Sequence, residues 1–231
     1  MPAPRSLQRT ALIAALAEQV DALGPARLRV AVDGVTGAGK TSFGHELAAA
    51  VRALGRPTLR ASLDDFKRPW SDARAKGYDR VTGEGYYRNA PDFEAARALL
   101  LEPSGGEGSG VVSLCAFDPL TGEDHRSHTV VAPGDSVLIV DSVFALRPEY
   151  DDCWELRVWL TVEPSVAFER AIARDQGLEG REEAERLHRD RYRVGERIYV
   201  DEVDPEQIAD VVVDNTDLDE PRFVRRARGL G

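Results

Sequence analysis

Residues 34–41 read Gly-Val-Thr-Gly-Ala-Gly-Lys-Thr, and this stretch constrains the fold more than any other part of the chain. It matches the full pattern G-x-x-x-x-G-K-[S/T], whose glycines let the backbone wrap around phosphates with its N–H groups pointing inward. A β-like apolar run at 28–32 precedes it and a helical pattern at 40–54 follows, so we predict a strand, a phosphate-binding loop and a helix N-terminus facing the anion. The residues expected to contact the phosphates are Gly34, Thr36, Gly37, Ala38, Gly39, Lys40, Thr41 and Ser42.

Strand-like and helix-like patterns alternate along the rest of the chain. We predict helices at 6–23, 91–101, 164–175 and 181–198, and further strands at 57–61, 137–140, 156–162 and 208–213. This alternation favours an α/β protein of the P-loop NTPase fold, with a mostly parallel sheet flanked by helices. Two segments depart from it. The runs 111–117 and 129–132 predict a hairpin, and the polar, aromatic stretch 62–90 is typical of a functional loop.

Composition limits the function classes. A chain of 231 residues with 42% hydrophobic residues suits one domain, which we expect to cover 1–231. A net charge of -10 argues against a nucleic-acid partner, because such proteins need a basic face to displace counterions. The two cysteines show no metal-ligand spacing, and neither a signal peptide nor a membrane-spanning apolar stretch is visible. These features predict a cytoplasmic protein without a membrane partner.

Carboxylates follow two of the predicted strands. The apolar run 137–140 ends in Asp141, which has the form of a carboxylate on the Mg²⁺ side of a nucleotide site, with a turn-forming Asp as the alternative. Asp64 and Asp65 directly follow the strand at 57–61, and ligands of open α/β sheets lie beyond the carboxyl ends of strands. A carboxylate there can accept a proton from a hydroxyl or help hold Mg²⁺, although adjacent acids also suit a turn. The candidate metal ligands are Thr41, Asp64 and Asp141.

Five stretches occur in an order that is more specific than the phosphate loop alone. They are GVTGAGKT at 34–41, LDDF at 63–66, GYYR at 85–88, VDSVF at 140–144 and ADVVVDNTD at 209–217. Together they resemble the uridine kinase family within the uridine kinase and phosphoribulokinase superfamily, over about residues 30–217. The resemblance implies ATP or GTP with Mg²⁺ as cofactors, and transfer of the γ-phosphate to the 5′-hydroxyl of a nucleoside.

The resemblance also implies roles for individual residues. Asp64 matches the base that takes the hydroxyl proton, and Lys40 matches the group that neutralises phosphate charge. The segment with Arg170, Arg174 and Arg181 resembles a mobile lid over about 170–198 whose arginines contact the phosphates. Arg174 would act in catalysis, and Arg170 and Arg181 would bind the nucleotide, although charged helical arginines are often surface ion pairs. The hairpin, at about 111–132, resembles a lobe that covers the acceptor. The expected substrate contacts are Asp64, Phe66, Tyr87, Asn89 and His125.

Departures from the family pattern bear on the acceptor. Asn89 stands where such sequences commonly carry an Asp that binds ribose hydroxyls, and Lys67 stands where they often have an aromatic residue. A nucleoside such as uridine or cytidine is the first hypothesis. A sugar, pantothenate or nicotinamide riboside, phosphorylated by the same machinery, is the alternative. A non-kinase P-loop regulator is a third reading, although the stretch 214–217 does not match a guanine-reading Asn-Lys-x-Asp motif. A homo-oligomer is compatible with the sequence.

Overall fold

A computed structural model describes residues 6–118 and 121–226. Its strands are β1 (Leu28–Gly34), β2 (Thr58–Ser62), β3 (Val111–Val112), β4 (Val130–Val131), β5 (Val137–Ser142), β6 (Leu156–Thr161), β7 (Val211–Asp214) and β8 (Arg222–Arg225). Six of them form a sheet in the order β2-β5-β1-β6-β7-β8, in which β8 pairs antiparallel with β7 and the other neighbours are parallel. The predicted α/β fold with a mostly parallel sheet is confirmed.

Ten helical segments surround this sheet in the described part of the chain. They are α1 (Leu7–Ala22), α2 (Lys40–Ala53), α3 (Trp70–Lys76), α4 (Gly83–Asn89), α5 (Phe93–Ala96), α6 (Glu102–Ser104), α7 (Pro164–Glu179), α8 (Arg181–Leu187), α9 (Arg193–Val203) and α10 (Pro205–Ile208). A π-helical turn at Arg97–Leu101 joins α5 to α6, and another at His188–Tyr192 joins α8 to α9. The segments 93–104 and 181–203 are therefore two continuous helices.

Alternation along the central strand divides the core into two layers. Val30 and Val32 pack with α1 and α2 on one face of the sheet, whereas Ala31 packs on the other face with an aromatic cluster from α4 and α9. All three residues are fully buried, as expected for a central parallel strand covered by helices on both sides. The sheet therefore holds the carboxyl ends of β1, β2 and β5 at one rigid edge.

Some local predictions differ from the structure. The stretch 62–90 is ordered into a 3₁₀ turn at Leu63–Phe66 followed by α3 and α4, because Thr82 caps α4 and Gly77 ends α3 in a left-handed conformation. The hairpin is present, but its ladder is only two residues long. The edge strand β8 was not predicted, since its four residues carry no apolar run.

Within 6–118 and 121–226, no helix combines the length and the apolar character that crossing a lipid bilayer requires.

Candidate active site

The phosphate loop lies between the end of β1 and the first turn of α2. Gly37 and Gly39 have φ angles of +84° and +89°, in the left-handed region that favours glycine. A Cβ at Gly37 would lie 2.1 Å from the carbonyl oxygen of Ala167, so the available space requires glycine as well. The loop leads directly into the N-terminus of α2, which is the arrangement that suits phosphate binding.

A buried amide that the sequence analysis missed supports the loop from behind. Asn215 donates from Nδ2 to the carbonyl oxygen of Ala38 at 2.7 Å, and its Oδ1 accepts from Arg9 Nη1 at 2.9 Å. Arg9 is itself buried and donates from Nε to Glu46 at 2.6 Å. The helix α1 is thereby connected to the loop through polar contacts. The sequence signal was an Asn directly after β7.

A buried carboxylate holds the start of the loop. Asp33 Oδ1 accepts the N–H of Gly34 at 2.6 Å, and Oδ2 accepts the Tyr199 hydroxyl at 2.6 Å and the N–H of Leu146 at 3.0 Å. Burial raises the pKa of Asp33 to about 6, although these hydrogen bonds and the nearby Lys40 act in the opposite direction. Asp33 therefore connects the loop to α9 and to the segment after β5.

Lys40 faces a cavity of about 460 Å³ above the loop. Its Nζ donates to the carbonyl oxygens of Gly34 and Val35, both at 2.9 Å. Burial lowers the pKa of Lys40, and four carboxylates act against that effect: Asp33, Glu196, Asp64 and Asp141. The cavity is also lined by the predicted residues Thr36, Gly37, Gly39, Thr41, Ser42, Asp64, Asp141, Arg170 and Arg174.

The two predicted Mg²⁺-side residues lie together. The Thr41 hydroxyl donates to Asp141 Oδ2 at 2.6 Å, at the point where α2 begins and β5 ends. The other carboxylate oxygen of Asp141 accepts from Arg60, a strand residue that the sequence analysis did not identify. A hydroxyl and a carboxylate oxygen side by side are hard oxygen ligands of the kind Mg²⁺ prefers. Thr41 and Asp141 therefore fit a Mg²⁺ ion bound together with phosphate oxygens.

Asp64 lies on the wall of the cavity, in the 3₁₀ turn after β2. Lys67 Nζ is 2.9 Å from its Oδ1. Burial alone would raise the pKa of Asp64, but the charge and hydrogen bond of Lys67, together with Lys40 and Arg174, lower it overall. The same contact raises the pKa of Lys67, despite its burial. Asp64 is therefore ionised at neutral pH and able to accept a hydrogen bond from a hydroxyl.

Asp65 has a different environment from its neighbour. Its backbone carbonyl accepts the N–H groups of Ala116 and Phe117 at 3.0 and 3.1 Å, which attaches the hairpin to the 3₁₀ turn. Burial, together with the charges of Asp64 and Asp141, raises the pKa of Asp65 to about 6. Asp65 is not among the residues that line the cavity. It therefore fits a structural position rather than a place beside the reacting groups.

The lid arginines have distinct positions. Arg174 lines the cavity and donates from Nε and Nη2 to Asp175 at 2.6 and 2.9 Å. Arg170 also lines it, but donates from Nη1 to the backbone carbonyl of Asn215 at 3.0 Å. Arg181 lies outside the cavity lining and pairs with Glu185 at 2.7 Å. The structure thus brings Arg170 and Arg174, but not Arg181, to the phosphate loop.

The continuous helix 181–203 contributes two further residues that the sequence analysis missed. Glu196 is buried, and its Oε1 accepts the N–H of Thr36 in the phosphate loop at 2.7 Å. Burial raises the pKa of Glu196, against this hydrogen bond and the nearby Lys40. His188 is also buried and lies 2.7 Å from Asp175 through Nε2. The sequence signal was a Glu and a His at buried positions of an otherwise charged helix.

The predicted substrate residues are dispersed. Phe66 and Tyr87 are 1% exposed and belong to the core, whereas Tyr86 lines the cavity. Asn89 donates from Nδ2 to the backbone carbonyl of Asp79 at 2.7 Å. His125 faces His128 on the hairpin, with the two Nδ1 atoms 3.0 Å apart. Of this group, Asp64 alone among the described residues lies in the lining of the cavity.

No protein-family model and no curated protein sequence matches the chain. Similar solved structures include a candidate fructose transport system kinase from Silicibacter sp. TM1040, with 23% identity, a TM-score of 0.66, and coverage of 83% of this chain and 93% of that one. A possible uridine kinase from Bacillus stearothermophilus has 23% identity, a TM-score of 0.65, and coverage of 90% and 97%. D-glycerate 3-kinase from Cryptococcus neoformans has 13% identity, a TM-score of 0.56, and coverage of 82% and 86%. The chain therefore shares the fold of P-loop kinases.

Proposed function

We propose that this chain is a kinase that transfers the γ-phosphate of ATP or GTP to a hydroxyl group of a small metabolite. The observation that carries the proposal is the convergence of Lys40, the Thr41–Asp141 pair and Asp64 on one cavity, at the carboxyl ends of β1, β5 and β2. Phosphoryl transfer between oxygens requires a cation for the phosphates, oxygen ligands for a metal, and a group that orients the attacking hydroxyl. All three are present at this edge of the sheet.

Each residue has a defined task in this reaction. Lys40 leaves the carbonyls of Gly34 and Val35 and binds the β- and γ-phosphates. Thr41 and Asp141 would hold Mg²⁺, and the bound ion would supply positive charge that offsets the negative charge of the phosphates. Asp64 accepts the hydroxyl proton while the acceptor oxygen forms a bond to the γ-phosphorus. The bond between the γ-phosphorus and the leaving nucleoside diphosphate, ADP or GDP, breaks in the same step.

The proposal treats the hairpin, at about 111–132, and the lid, at about 170–198, as parts of one catalytic domain over 1–231. Arg174 supports this role, because it lines the cavity and is held by Asp175 on an exposed helix face. A lid arginine can offset charge on the transferring group while closure excludes water. The free thiols of Cys115 and Cys153 fit the cytoplasmic location expected from the sequence.

The sequence suggests two classes of acceptor for this reaction. The resemblance to uridine kinases makes a nucleoside 5′-hydroxyl the first candidate, as in uridine or cytidine. A kinase of the same superfamily acting on a sugar, pantothenate or nicotinamide riboside is the second. The ion pair of Lys67 with Asp64 favours the second class, because a cation occupies a position where the family often has an aromatic side chain.

A coupled assay tests the proposed function. Purified chain is incubated with ATP, Mg²⁺ and a panel of nucleosides, sugars and hydroxy acids, and ADP release and acceptor mass are read together. We expect ADP to form in step with an acceptor that gains one phosphoryl group, and both signals to disappear in Lys40→Ala. ATP binding without phosphorylation of any acceptor would instead support a nucleotide-binding regulator.

A further inference from the structure

A second cavity of about 460 Å³ adjoins the cavity above the phosphate loop, which we call the nucleotide cavity after its proposed ligand. Lys67, Tyr86 and Tyr192 line both cavities, so they form the boundary between them. Because Lys67 is also the ion-pair partner of Asp64, the second cavity begins beside the proposed base. In the proposed reaction, this is the space into which the body of the acceptor extends.

The lining of this second cavity is strongly basic. It contains five cationic side chains: Lys67, Arg68, Arg74, Arg80 and Arg191. The described lining includes one carboxylate, Asp118, from the hairpin. This local excess of positive charge is opposite in sign to the chain as a whole, whose net charge is -10. The general acidity of the surface therefore does not account for it.

The arginines of this cavity are not neutralised by carboxylates. Among the described residues, none of Arg68, Arg74, Arg80 and Arg191 has a carboxylate oxygen within ion-pair distance. The nearby Asp79 directs its Oδ1 to the N–H of Val81 at 2.7 Å and its Oδ2 to the Thr82 hydroxyl. Other arginines of the chain, such as Arg174, do have carboxylate partners. Apart from Lys67, which pairs with Asp64, the cavity thus collects guanidinium groups that have no ion-pair partner among the described residues.

Arg80 shows most clearly that this is a built site. Its side chain is only 5% exposed, and its Nε has no hydrogen-bond partner. Arg191, beside it, also has an Nε without a partner. Burial lowers the pKa of Arg80, and the neighbouring charges of Arg191 and Arg68 lower it further. Leaving a buried cation uncompensated is costly, so an anion bound here would stabilise the site.

Packing fixes the orientation of these two guanidinium groups. Arg80 lies 4.4 Å and Arg191 5.2 Å from the centre of the Trp70 ring, and Arg191 is 5.0 Å from that of Tyr86. Arg191 Nη2 donates to the carbonyl oxygen of Arg80 at 3.0 Å, and Arg80 donates to the carbonyl oxygen of Arg68. A guanidinium stacked on an aromatic face keeps its N–H edge available for a planar oxyanion.

We propose that the acceptor is an anionic metabolite, a hydroxyl-bearing carboxylate or phosphate ester whose oxyanion binds Arg80 and Arg191 while its hydroxyl meets Asp64. The inference rests on the proposed function and assigns the substrate class of that site. Arg68 and Arg74 add positive potential to the cavity. A neutral nucleoside would leave the cationic groups without a counter-charge.

The test uses matched pairs of acceptors that differ mainly in the oxyanion. Glycerate is compared with glycerol, pantothenate with pantothenyl alcohol, and fructose 6-phosphate with fructose, and uridine is included as a neutral nucleoside. The pairs also separate carboxylates from phosphate esters. For any pair in which the enzyme phosphorylates a member, we expect kcat/KM to be at least tenfold higher for the anionic compound than for the neutral one. Preferred turnover of a neutral member or of uridine would overturn the inference while leaving the kinase proposal intact.

Variants locate the effect in the cavity. We expect Arg191→Gln to raise the KM of the anionic acceptor about tenfold or more, because losing one charge-assisted hydrogen bond weakens binding by about that factor. The KM of ATP should stay within about twofold of the wild-type value. Arg74→Gln, at an exposed position, should give a smaller change in the same direction. Arg186→Gln is the matched control, since this exposed arginine pairs with Glu183 away from both cavities. An unchanged acceptor KM in Arg191→Gln would contradict the proposal.

A binding measurement decides the case in which no acceptor of the panel is phosphorylated. The phosphate loop is first filled with Mg²⁺ and a non-hydrolysable ATP analogue, and glycerate or citrate is titrated calorimetrically. We expect the wild type to bind at least one of these anions and Arg191→Gln to bind it at least tenfold more weakly. Equal affinity for both proteins, or no binding to the wild type, would overturn the inference. Failure of the ATP analogue to bind would instead count against the proposed function.

Discussion

The two adjoining cavities have about the same volume, but their charged lining residues are paired differently. In the nucleotide cavity, charged lining residues have ion-pair partners: Asp141 pairs with Arg60, and Arg174 pairs with Asp175. In the second cavity, Arg80 and Arg191 contact aromatic rings and backbone carbonyls instead. This difference fits the two proposals, in which the first cavity binds a metal and a triphosphate together and the second binds an anion alone.

Removing the lysine of the phosphate loop, Lys40, should have the largest effect on turnover. We expect Lys40→Ala to lower kcat by at least about 10³-fold, because it removes a charge contact to the transferring phosphate. The variant should keep its fold and its affinity for an anionic acceptor, since Lys40 lies outside the second cavity. Steady-state ADP release and circular dichroism check this. Lys76→Ala is the control, because this exposed lysine pairs only with Asp72 in the contacts described. Turnover near the wild-type rate in folded Lys40→Ala would remove the assignment.

The boundary between the cavities provides the next prediction. We expect Asp64→Asn to lower kcat by about 10²–10³-fold, because general-base catalysis typically contributes that much. Asp65→Asn should change kcat by less than about fivefold, since its carbonyl, not its side chain, makes the contacts to the hairpin. Single-turnover kinetics with saturating acceptor measures both. A larger loss in Asp65→Asn would show that the base is one residue further along.

A comparison of two lid arginines tests whether a position in the cavity lining matters more for catalysis than a position on the surface. Arg174→Ala should lower kcat about tenfold with a smaller change in the KM of ATP, because Arg174 lines the nucleotide cavity. Arg181→Ala should stay within about twofold of the wild type, since Arg181 pairs with Glu185 outside the lining. Equal losses in both variants would indicate that the helix 181–203 rearranges when the lid closes.

The smallest expected effect concerns stability rather than catalysis. The pKa of Asp65 is about 6 in the folded chain against an ordinary value of 3.8. The folded chain therefore binds more protons than the unfolded chain between about pH 4 and 6, and Asp65 makes the free energy of unfolding fall as the pH rises through this window. We expect the free energy of unfolding of Asp65→Asn to lack this decrease. Measured relative to the wild type, the stability of the variant should therefore be about 1 kcal/mol greater at pH 7 than at pH 4, after allowance for solvent screening. Urea unfolding at several pH values measures it, and parallel curves for the two proteins would contradict it.

Much of the fold could be predicted because its signals are local. The phosphate loop, the apolar run ending in Asp141 and the carboxylate pair after β2 are each contiguous in sequence. The contacts that were missed join distant positions: Asn215 reaches Ala38 across 177 residues, and Arg191 reaches Arg80 across 111. A single sequence carries no direct signal for such pairings. The second cavity could not be predicted for this reason.

The tyrosine pair shows a second limit of sequence reasoning. Tyr86 and Tyr87 are consecutive on α4, and neighbouring helical residues point about 100° apart. Both rings contact Phe144, but Tyr86 lines the two cavities, whereas Tyr87 lines neither and packs against Tyr199 in the core. The sequence predicted a loop here rather than a helix, and the side that each tyrosine faces depends on how α4 packs against α9. That packing is a tertiary property.

The continuous helix 181–203 reaches both the phosphate loop and the second cavity. Glu196 holds the N–H of Thr36 in the phosphate loop, and about one turn earlier Arg191 and Tyr192 line the basic cavity. A shift of this one helix moves both groups at once, so we expect the two substrates to bind cooperatively. By linkage, the acceptor would then change the affinity for nucleotide by the same factor as nucleotide changes the affinity for acceptor. Such coupling would keep the reactive triphosphate loosely held until a partner for transfer is in place.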